Sequence, residues 1–340
     1  MSVQATYYTI TDEAFFPGTV GLLNSLRLTG NEGEFVVLDC GLAPSQRQRL
    51  EPHCRIEPAQ RHLGYRGNPL KPSAWRPRED STVVMIDSDV LVTAALAPIL
   101  RDAERGLIAA FVDLLALLRD PPNRAFREWE ETLDLAKPLR PQPYLNSGLI
   151  AFSVAAWPRL VDRWREACDV AARAAERDRH RRLAWPENPF AFTEQDALNA
   201  LLMSEVPAEA IAAYDYALAP ITQWQSVGIR DTSRLRCVNY GRETLLLHHT
   251  SRPKAWERRG WLPGSYRAFA DLLPRVLFAE DVPLRLDPAD VPPWLRSGIR
   301  GGAVRFGAGS VRRALRLGSA VVASGSRTGG RSQVKRCSAP

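Results

Sequence analysis

The chain is punctuated by short, unbroken apolar runs that stop at acids or turn residues. Phe35–Leu38 lies between Glu34 and Asp39 and is flanked by Gly33 and Gly41; Val83–Ile86 stops at Asp87; Leu107–Val112 forms another. A β-rich stretch, residues 3–10, ends in the polar turn Thr11-Asp12-Glu13. Runs of this length without polar alternation are what strands covered on both faces of a sheet look like. Segments of helical length separate them. One starts near Pro17, with Val20, Leu23, Asn24 and Arg27 at helical spacing, and another spans Ala155–Arg182, whose Arg173–Arg182 charge run reads as a solvated face. Thr193–Met203 reads as a capped helix, with Thr193 and Asp196 forming a capping box and Leu198, Leu201 and Leu202 on its buried side. Strands alternating with helices predict an α/β fold with a mostly parallel central sheet. With no internal repeat and no linker before about residue 280, the reading is a single domain over 1–280 followed by a tail over 281–340.

Composition narrows the class further. An apolar content of 45% excludes a wholly disordered chain. The longest uncharged run, Pro141–Pro158, contains three prolines, Gln142 and Asn146 and is too polar to cross a bilayer. Met1–Ala5 lacks the basic start and apolar core of a signal peptide. Five cysteines without a C-x-x-C spacing make neither a disulfide framework nor a zinc site. The expectation is a reduced, cytoplasmic protein.

The net charge of +7 invites a nucleic-acid reading, but its location argues against one. Residues 291–340 hold 10 of the 45 basic residues and no acid, so the first 290 residues are mildly acidic. A nucleic-acid-binding fold spreads positive charge over its folded face. In the tail, Val304, Ala308, Val311 and Leu315 fall on one helical stripe and Arg305, Arg312, Arg313 and Arg316 on another side. That pattern suits peripheral contact with an anionic membrane surface. Gly301, Gly302, Gly307 and Gly309 oppose a helix and leave a flexible solvated tail as the other reading, and the Ser/Gly/Arg-rich end beyond Ser324 reads as disordered.

Ligands of open α/β sheets bind beyond the carboxyl ends of the strands, where Asp12 and Asp87 both fall. In Asp87-Ser88-Asp89 two carboxylates at i and i+2 follow a buried strand and can reach one divalent cation. Two enzyme classes use such a pair. In a phosphohydrolase of the haloacid-dehalogenase type it follows the first strand and a later acidic cluster completes the site. Here it follows 86 residues, and no paired acidic cluster appears late in the chain. In a nucleotide-sugar transferase the pair holds a metal against a diphosphate.

Further strings bear on the choice: Tyr8-Thr9-Ile10-Thr11-Asp12, Pro143-Tyr-Leu-Asn146-Ser147-Gly148, Phe192-Thr-Glu194-Gln195-Asp196-Ala-Leu-Asn199, and His248-His-Thr-Ser-Arg-Pro-Lys254-Ala-Trp256. With the Asp-Ser-Asp, their order resembles that in retaining glycosyltransferases of the GT-A fold, family 8, the glycogenin and bacterial lipooligosaccharide galactosyltransferase type. The resemblance runs from about residue 5 to 270.

It implies a metal-dependent retaining hexosyltransferase using UDP-glucose or UDP-galactose. Asp87, Asp89 and His248 would supply two oxygens and an imidazole nitrogen to Mn2+ or Mg2+, the nitrogen favouring manganese. Lys254 would add positive charge at the diphosphate, and Ser88 stands between the metal-binding acids. Asn146, Ser147 and Gly148 would line the donor sugar, with the glycine allowing close backbone approach. Thr9 and Asp12 match positions that hold the uridine and its ribose, and Lys71 or Arg76 the basic residue before the metal motif. Glu194 and Gln195 stand where the family has an Asp-Gln pair beside the reacting sugar. Residues 113–140, with Arg124, Phe126 and Trp129, fall where the family builds its acceptor side; the acceptor would be a saccharide or lipid-linked sugar, such as an envelope glycan. The alternatives are the phosphohydrolase and a non-catalytic nucleotide-sugar-binding protein.

Overall fold

The computed structural model describes residues 5–59, 71, 72, 75–77, 81–114, 126–180, 189–221, 225–257, 264–287, 291 and 295. In chain order the elements are β1 (Ala5–Thr11), α1 (Phe16–Leu28), β2 (Gly33–Asp39), α2 (Pro44–Leu50), β3 (Arg55–Pro58), β4 (Thr82–Ile86), β5 (Val90–Val92), α3 (Ala97–Glu104), β6 (Ile108–Val112), α4 (Phe126–Thr132), β7 (Leu145–Ser153), α5 (Leu160–His180), α6 (Thr193–Ser204), β8 (Ile211–Tyr214), β9 (Val227–Asp231), β10 (Arg236–Asn239), β11 (Arg242–Glu243), β12 (Leu246–His248) and α7 (Gly264–Phe278).

The central sheet has the order β3-β2-β1-β4-β7-β6-β8, and only β7 runs against the others. Its middle strands are apolar throughout because each face meets a separate core. Tyr7, Val84, Ile86 and Ala109 pack among residues of α1 and α7 such as Leu23 and Leu273. Tyr8, Val83, Met85 and Ala110 pack on the other side with Trp164 and Leu198 of α5 and α6. The alternation of side chains along a strand thus makes a continuous apolar run the expected signature.

Two details depart from the sequence reading. Thr193 is the first residue inside α6, not its cap: Phe192 is the cap residue, and Thr193 Oγ1 donates to Phe190 O at 3.2 Å. The acid keeps its half of the box, since Asp196 Oδ2 accepts the Phe192 N–H at 2.8 Å. The buried side of α6 also extends beyond Leu198, Leu201 and Leu202, because every residue from Glu194 to Ser204 is buried.

The compact unit runs to Leu295. Asn24, fully buried in α1, donates to Val276 O and Leu284 O and accepts from Leu284 N, and Leu284, Leu286, Val291 and Leu295 complete this core. All four of these residues lie past the boundary expected near 280. The basic stripe from Val304 to Leu315 lies outside the described residues. Among those described, no helix is long and apolar enough to cross a membrane.

A two-stranded antiparallel ladder, β5 with β12, pairs Val90 with His248, Leu91 with Leu247 and Val92 with Leu246. It ties the chain just after Asp89 to a segment far along the sequence.

Candidate active site

The carboxyl ends of β1, β4 and β6 open into one cleft of about 760 Å³, and each is followed by an acid that lines it: Asp12, Asp87 and Asp113. The antiparallel β7 begins at the same rim, so Asn146 and Ser147 enter the cleft from the first residues of a strand rather than from a loop. The β5–β12 ladder brings in His248, and the His249 N–H donates to Asp89 O at 3.0 Å.

Asp87, Asp89 and His248 offer ligand atoms that lie within 4.8 Å of one another. His248 Nε2 is 3.1 Å from Asp89 Oδ1 and 3.5 Å from Asp87 Oδ2. Asp89 Oδ1 is buried without a hydrogen-bond partner. A buried carboxylate oxygen left open beside an imidazole nitrogen fits a divalent cation, which takes mixed oxygen and nitrogen donors. Gly148 makes room for the ring: a Cβ there would lie 2.2 Å from His248 Cε1 and 2.5 Å from Nδ1. The glycine therefore admits close approach, but by the histidine of the site itself.

Two buried lysines hold the aspartates. Lys71 Nζ is 2.6 Å from Asp87 Oδ1 and 2.7 Å from Glu194 Oε1. Burial disfavours its ammonium, but Asp87 and Glu194 more than offset this and raise it above the ordinary lysine range. Lys254 Nζ donates to Asp89 Oδ2 and to His249 O, both at 2.6 Å. Burial pushes the Asp89 carboxyl up, yet His248 and Lys254 outweigh it and hold that carboxyl well below the usual range. Glu194, 1% exposed, has its carboxyl raised by burial against the pull of Lys71.

Beside this charged group lies a network of amides. Asp113 Oδ2 accepts from Asn146 Nδ2 at 3.0 Å and from Gln195 Nε2 at 2.9 Å. Gln195 Oε1 accepts the Ser147 N–H at 3.0 Å, and Ser147 Oγ donates to Glu194 Oε1 at 2.6 Å. The Trp164 indole N–H donates to Glu194 O at 2.8 Å, fixing the start of α6 from α5.

Of the residues singled out in the sequence, Asp12, Lys71, Asp87, Ser88, Asp89, Asn146, Ser147, Glu194, Gln195, His248 and Lys254 all line this cleft. Thr9 does not. Its side chain is wholly buried, with Oγ1 unpartnered, while Ile10, Thr11 and Asp12 reach the cleft at the end of β1. Of Lys71 and Arg76, Lys71 lines the cleft, while Arg76 is exposed and outside the lining. Trp129, placed on the acceptor side by the sequence, is buried against Tyr144 and donates to Pro189 O at 2.7 Å. Arg124 and the Phe126 side chain lie outside the described residues.

Sequence reasoning missed Asp113, Phe15, Cys40 and Arg252, all of which line the cleft. Asp113 was within reach, because it ends the run Leu107–Val112 as Asp87 ends Val83–Ile86. Phe15 follows Asp12 by three residues, and the Arg252 guanidinium lies 5.2 Å over its ring.

No family model matches the chain, and no curated protein matches it by sequence. Solved structures do. The fold is similar to that of the galactosyltransferase LgtC in complex with donor and acceptor sugar analogs, with a TM-score of 0.50 at 14% identity, covering 81% of this chain and 98% of that one. An active-site mutant of LgtC gives 0.51 at 15% identity, covering 81% and 98%. The apo form of the bifunctional glycosyltransferase WbbM gives 0.50 at 14% identity, covering 83% of this chain and 50% of that one. The GT-A fold implied by the motif resemblance is therefore present, and its structural neighbours are glycosyltransferases.

Proposed function

We propose that this protein is a metal-dependent glycosyltransferase that takes a hexose from a UDP-sugar, UDP-glucose or UDP-galactose, with retention of the anomeric configuration. The observation that carries this reading is the convergence, in one cleft of a GT-A fold, of the Asp87/Asp89/His248 donor set, two buried lysines and the Asn146/Ser147/Glu194/Gln195 group.

Asp87, Asp89 and His248 would hold the divalent cation, manganese by the nitrogen in the set, which when bound supplies Lewis-acid stabilisation to the departing diphosphate. Lys254 and Arg252 bring positive charge to the diphosphate side, and Asp12 with Phe15 provides an acceptor and an aromatic face for a nucleoside. At the other end, Asp113 and Glu194 place negative charge where positive charge develops at the anomeric carbon. Asn146 and Ser147 offer polar contacts to sugar hydroxyls. Gln195 acts by position: its two amide atoms hold the Ser147 backbone and Asp113 together.

The phosphohydrolase reading calls for a later acidic cluster to complete the site; among the described residues the third donor beside Asp87 and Asp89 is His248 instead. The acceptor is a saccharide or lipid-linked sugar, reached at a membrane surface if the basic tail docks there. Incubation with a panel of UDP-sugars and Mn2+, reading UDP release with and without saccharide acceptors, tests the proposal. Consumption of one UDP-hexose supports it; inertness toward every UDP-sugar, with phosphate released from small phosphoesters, overturns it.

A further inference from the structure

We propose that Tyr266, which lies outside the cleft lining, is a positioning residue for the diphosphate side of the cleft: its phenol holds the exposed stretch from Thr250 to Arg252 in place before a nucleotide arrives. The inference rests on the nucleotide-sugar reading of this cleft.

Thr250, Ser251 and Arg252 line the cleft and are exposed. They belong to no helix or strand, and none of them makes a backbone–backbone hydrogen bond to another described residue. A stretch of this kind has little of its own to fix it, and ordering it on binding costs affinity. What ties it down is a side chain behind it. Tyr266, 5% exposed, comes from the first turn of α7. Its hydroxyl donates to Ile221 O at 2.9 Å, which leaves the phenol oxygen to accept from Thr250 Oγ1 at 2.7 Å and from Ser251 Oγ at 3.0 Å. Ile221 lines the same cleft, so one buried phenol joins three residues of its wall.

The ring of Tyr266 adds a second hold. It stacks on the His249 imidazole with ring centres 4.3 Å apart and planes 16° from parallel, while Phe269, one turn along α7, meets that imidazole edge-on at 5.4 Å. The clamped imidazole has Nδ1 3.1 Å from Ser251 O, and the His249 carbonyl accepts from Lys254 Nζ. Arg252 is braced from its other sides, with Nη1 2.7 Å from Glu257 Oε1 and the guanidinium over Phe15. The segment that carries both cations, Arg252 and Lys254, therefore takes its position from α7 and not from its own backbone.

Removing the hydroxyl separates position from fold. In Tyr266→Phe the ring and its stack remain, and Ile221 O keeps Thr250 Oγ1 at 3.0 Å. Thr250 and Ser251 are exposed, so their freed hydroxyls turn to water. No buried polar group is stranded, and the melting temperature should stay within a few degrees of the wild type.

The full-length protein is titrated with UDP by calorimetry in the presence of Mn2+, and turnover of the UDP-hexose is resolved into kcat and KM. Tyr266→Phe should bind UDP about tenfold more weakly, the size of one hydrogen bond to a charged group, and KM should rise in step. The value of kcat should stay within about twofold, because Asn146, Ser147, Glu194 and Gln195 stand on other elements, β7 and α6. Tyr266→Leu, which also loses the stack, should weaken UDP further. Val276→Ala, further along α7 in the core, is the control for lost packing alone, with a lower melting temperature and wild-type UDP affinity. Wild-type UDP affinity in Tyr266→Phe overturns the proposal, as does a fall in kcat with KM unchanged. A large drop in its melting temperature, or an equal loss of UDP affinity in Val276→Ala, overturns it too, by making the phenol a residue of the fold only. A wild type that binds no UDP defeats instead the nucleotide-sugar reading on which the proposal rests.

Discussion

Replacing Gly148 by alanine puts a methyl carbon 2.2 Å from His248 Cε1, 2.5 Å from His248 Nδ1 and 2.7 Å from Asn146 Oδ1. Ordinary contact begins at 3.4 Å, so the imidazole must retreat by about 1 Å. The backbone of His248 cannot follow. Its N–H donates to Pro220 O at 3.1 Å, it pairs with Val90 across the β5–β12 ladder, and the next N–H is held by Asp89 O. The ring therefore turns about its own side-chain bonds, and Nε2 leaves its place 3.1 Å from Asp89 Oδ1. Overpacking of this kind costs about 1–3 kcal/mol of stability, which leaves the protein folded. Misplacing a reacting or ligating group by about 1 Å costs roughly 10²-fold in rate. The assay is UDP release from the UDP-hexose over a Mn2+ titration, beside a thermal melt. We expect turnover to fall about 10²-fold at fixed Mn2+, with a higher Mn2+ requirement and a modest loss of melting temperature. Gly228→Ala is the matched control, since a Cβ there meets nothing within 4 Å, and it should behave as the wild type. Gly148→Ala with wild-type turnover and Mn2+ dependence would show that the His248 ring has no part in the site.

Chelation by EDTA should abolish activity, Mn2+ should restore it better than Mg2+, and Asp89→Ala should lose UDP-sugar binding as well as turnover; full activity in EDTA would remove the metal from the mechanism. Glu194→Gln and Gln195→Ala should keep UDP-sugar affinity within a few-fold while transfer falls roughly 10²-fold, and NMR of the product should show an α linkage. Burial raises the Asp196 carboxyl to about 7 despite hydrogen bonds from Tyr144 and Phe192. The folded state thus prefers the protonated acid, so stability from this group is present at low pH and is lost as pH rises from about 4 through 7. Asp196→Asn should flatten that part of a pH series of chemical melts, and an unchanged slope would refute the assignment. The full-length protein should bind anionic vesicles in a salt-sensitive way and a chain ending at Leu295 should not, as measured by co-sedimentation.

The architecture was legible because its cause is local. Strands β1, β2, β4 and β6 are covered on both faces, and burial on both faces writes itself as unbroken runs such as Val83–Ile86. The acids that follow are legible for the same reason, since the turn at the end of a buried strand is where a polar side chain first reaches water or a cleft. Less visible was the packing of Leu284 and Leu286 on the core. Leu284 is held by one asparagine 260 residues earlier, whose carboxamide bridges Val276 and Leu284, and no spacing encodes a partner at that distance. The cap of α6 slipped by one residue because Asp196 takes its N–H from Phe192, leaving Thr193 nothing to cap.

Which residues meet in the cleft was legible in the same way, but which of their atoms are already engaged by neighbours was not. Gln195 shows the difference. Read in sequence beside Glu194, it offers an amide to a substrate; in the fold both of its polar atoms are engaged, by Ser147 N–H and by Asp113. Asp113 in turn gathers the amides of Asn146 and Gln195 on a single oxygen, so β6, β7 and α6 meet at one carboxylate. Losing Gln195 would remove a hydrogen bond from the Ser147 N–H and one from Asp113 together, and Ser147 also holds Glu194, which holds Lys71, which holds Asp87. Gln195, Ser147, Glu194, Lys71 and Asp87 therefore form one connected chain of hydrogen bonds and ion pairs along the cleft. A substitution at Gln195 should be felt at Asp87, and transfer should fall through lost geometry even where the donor still binds.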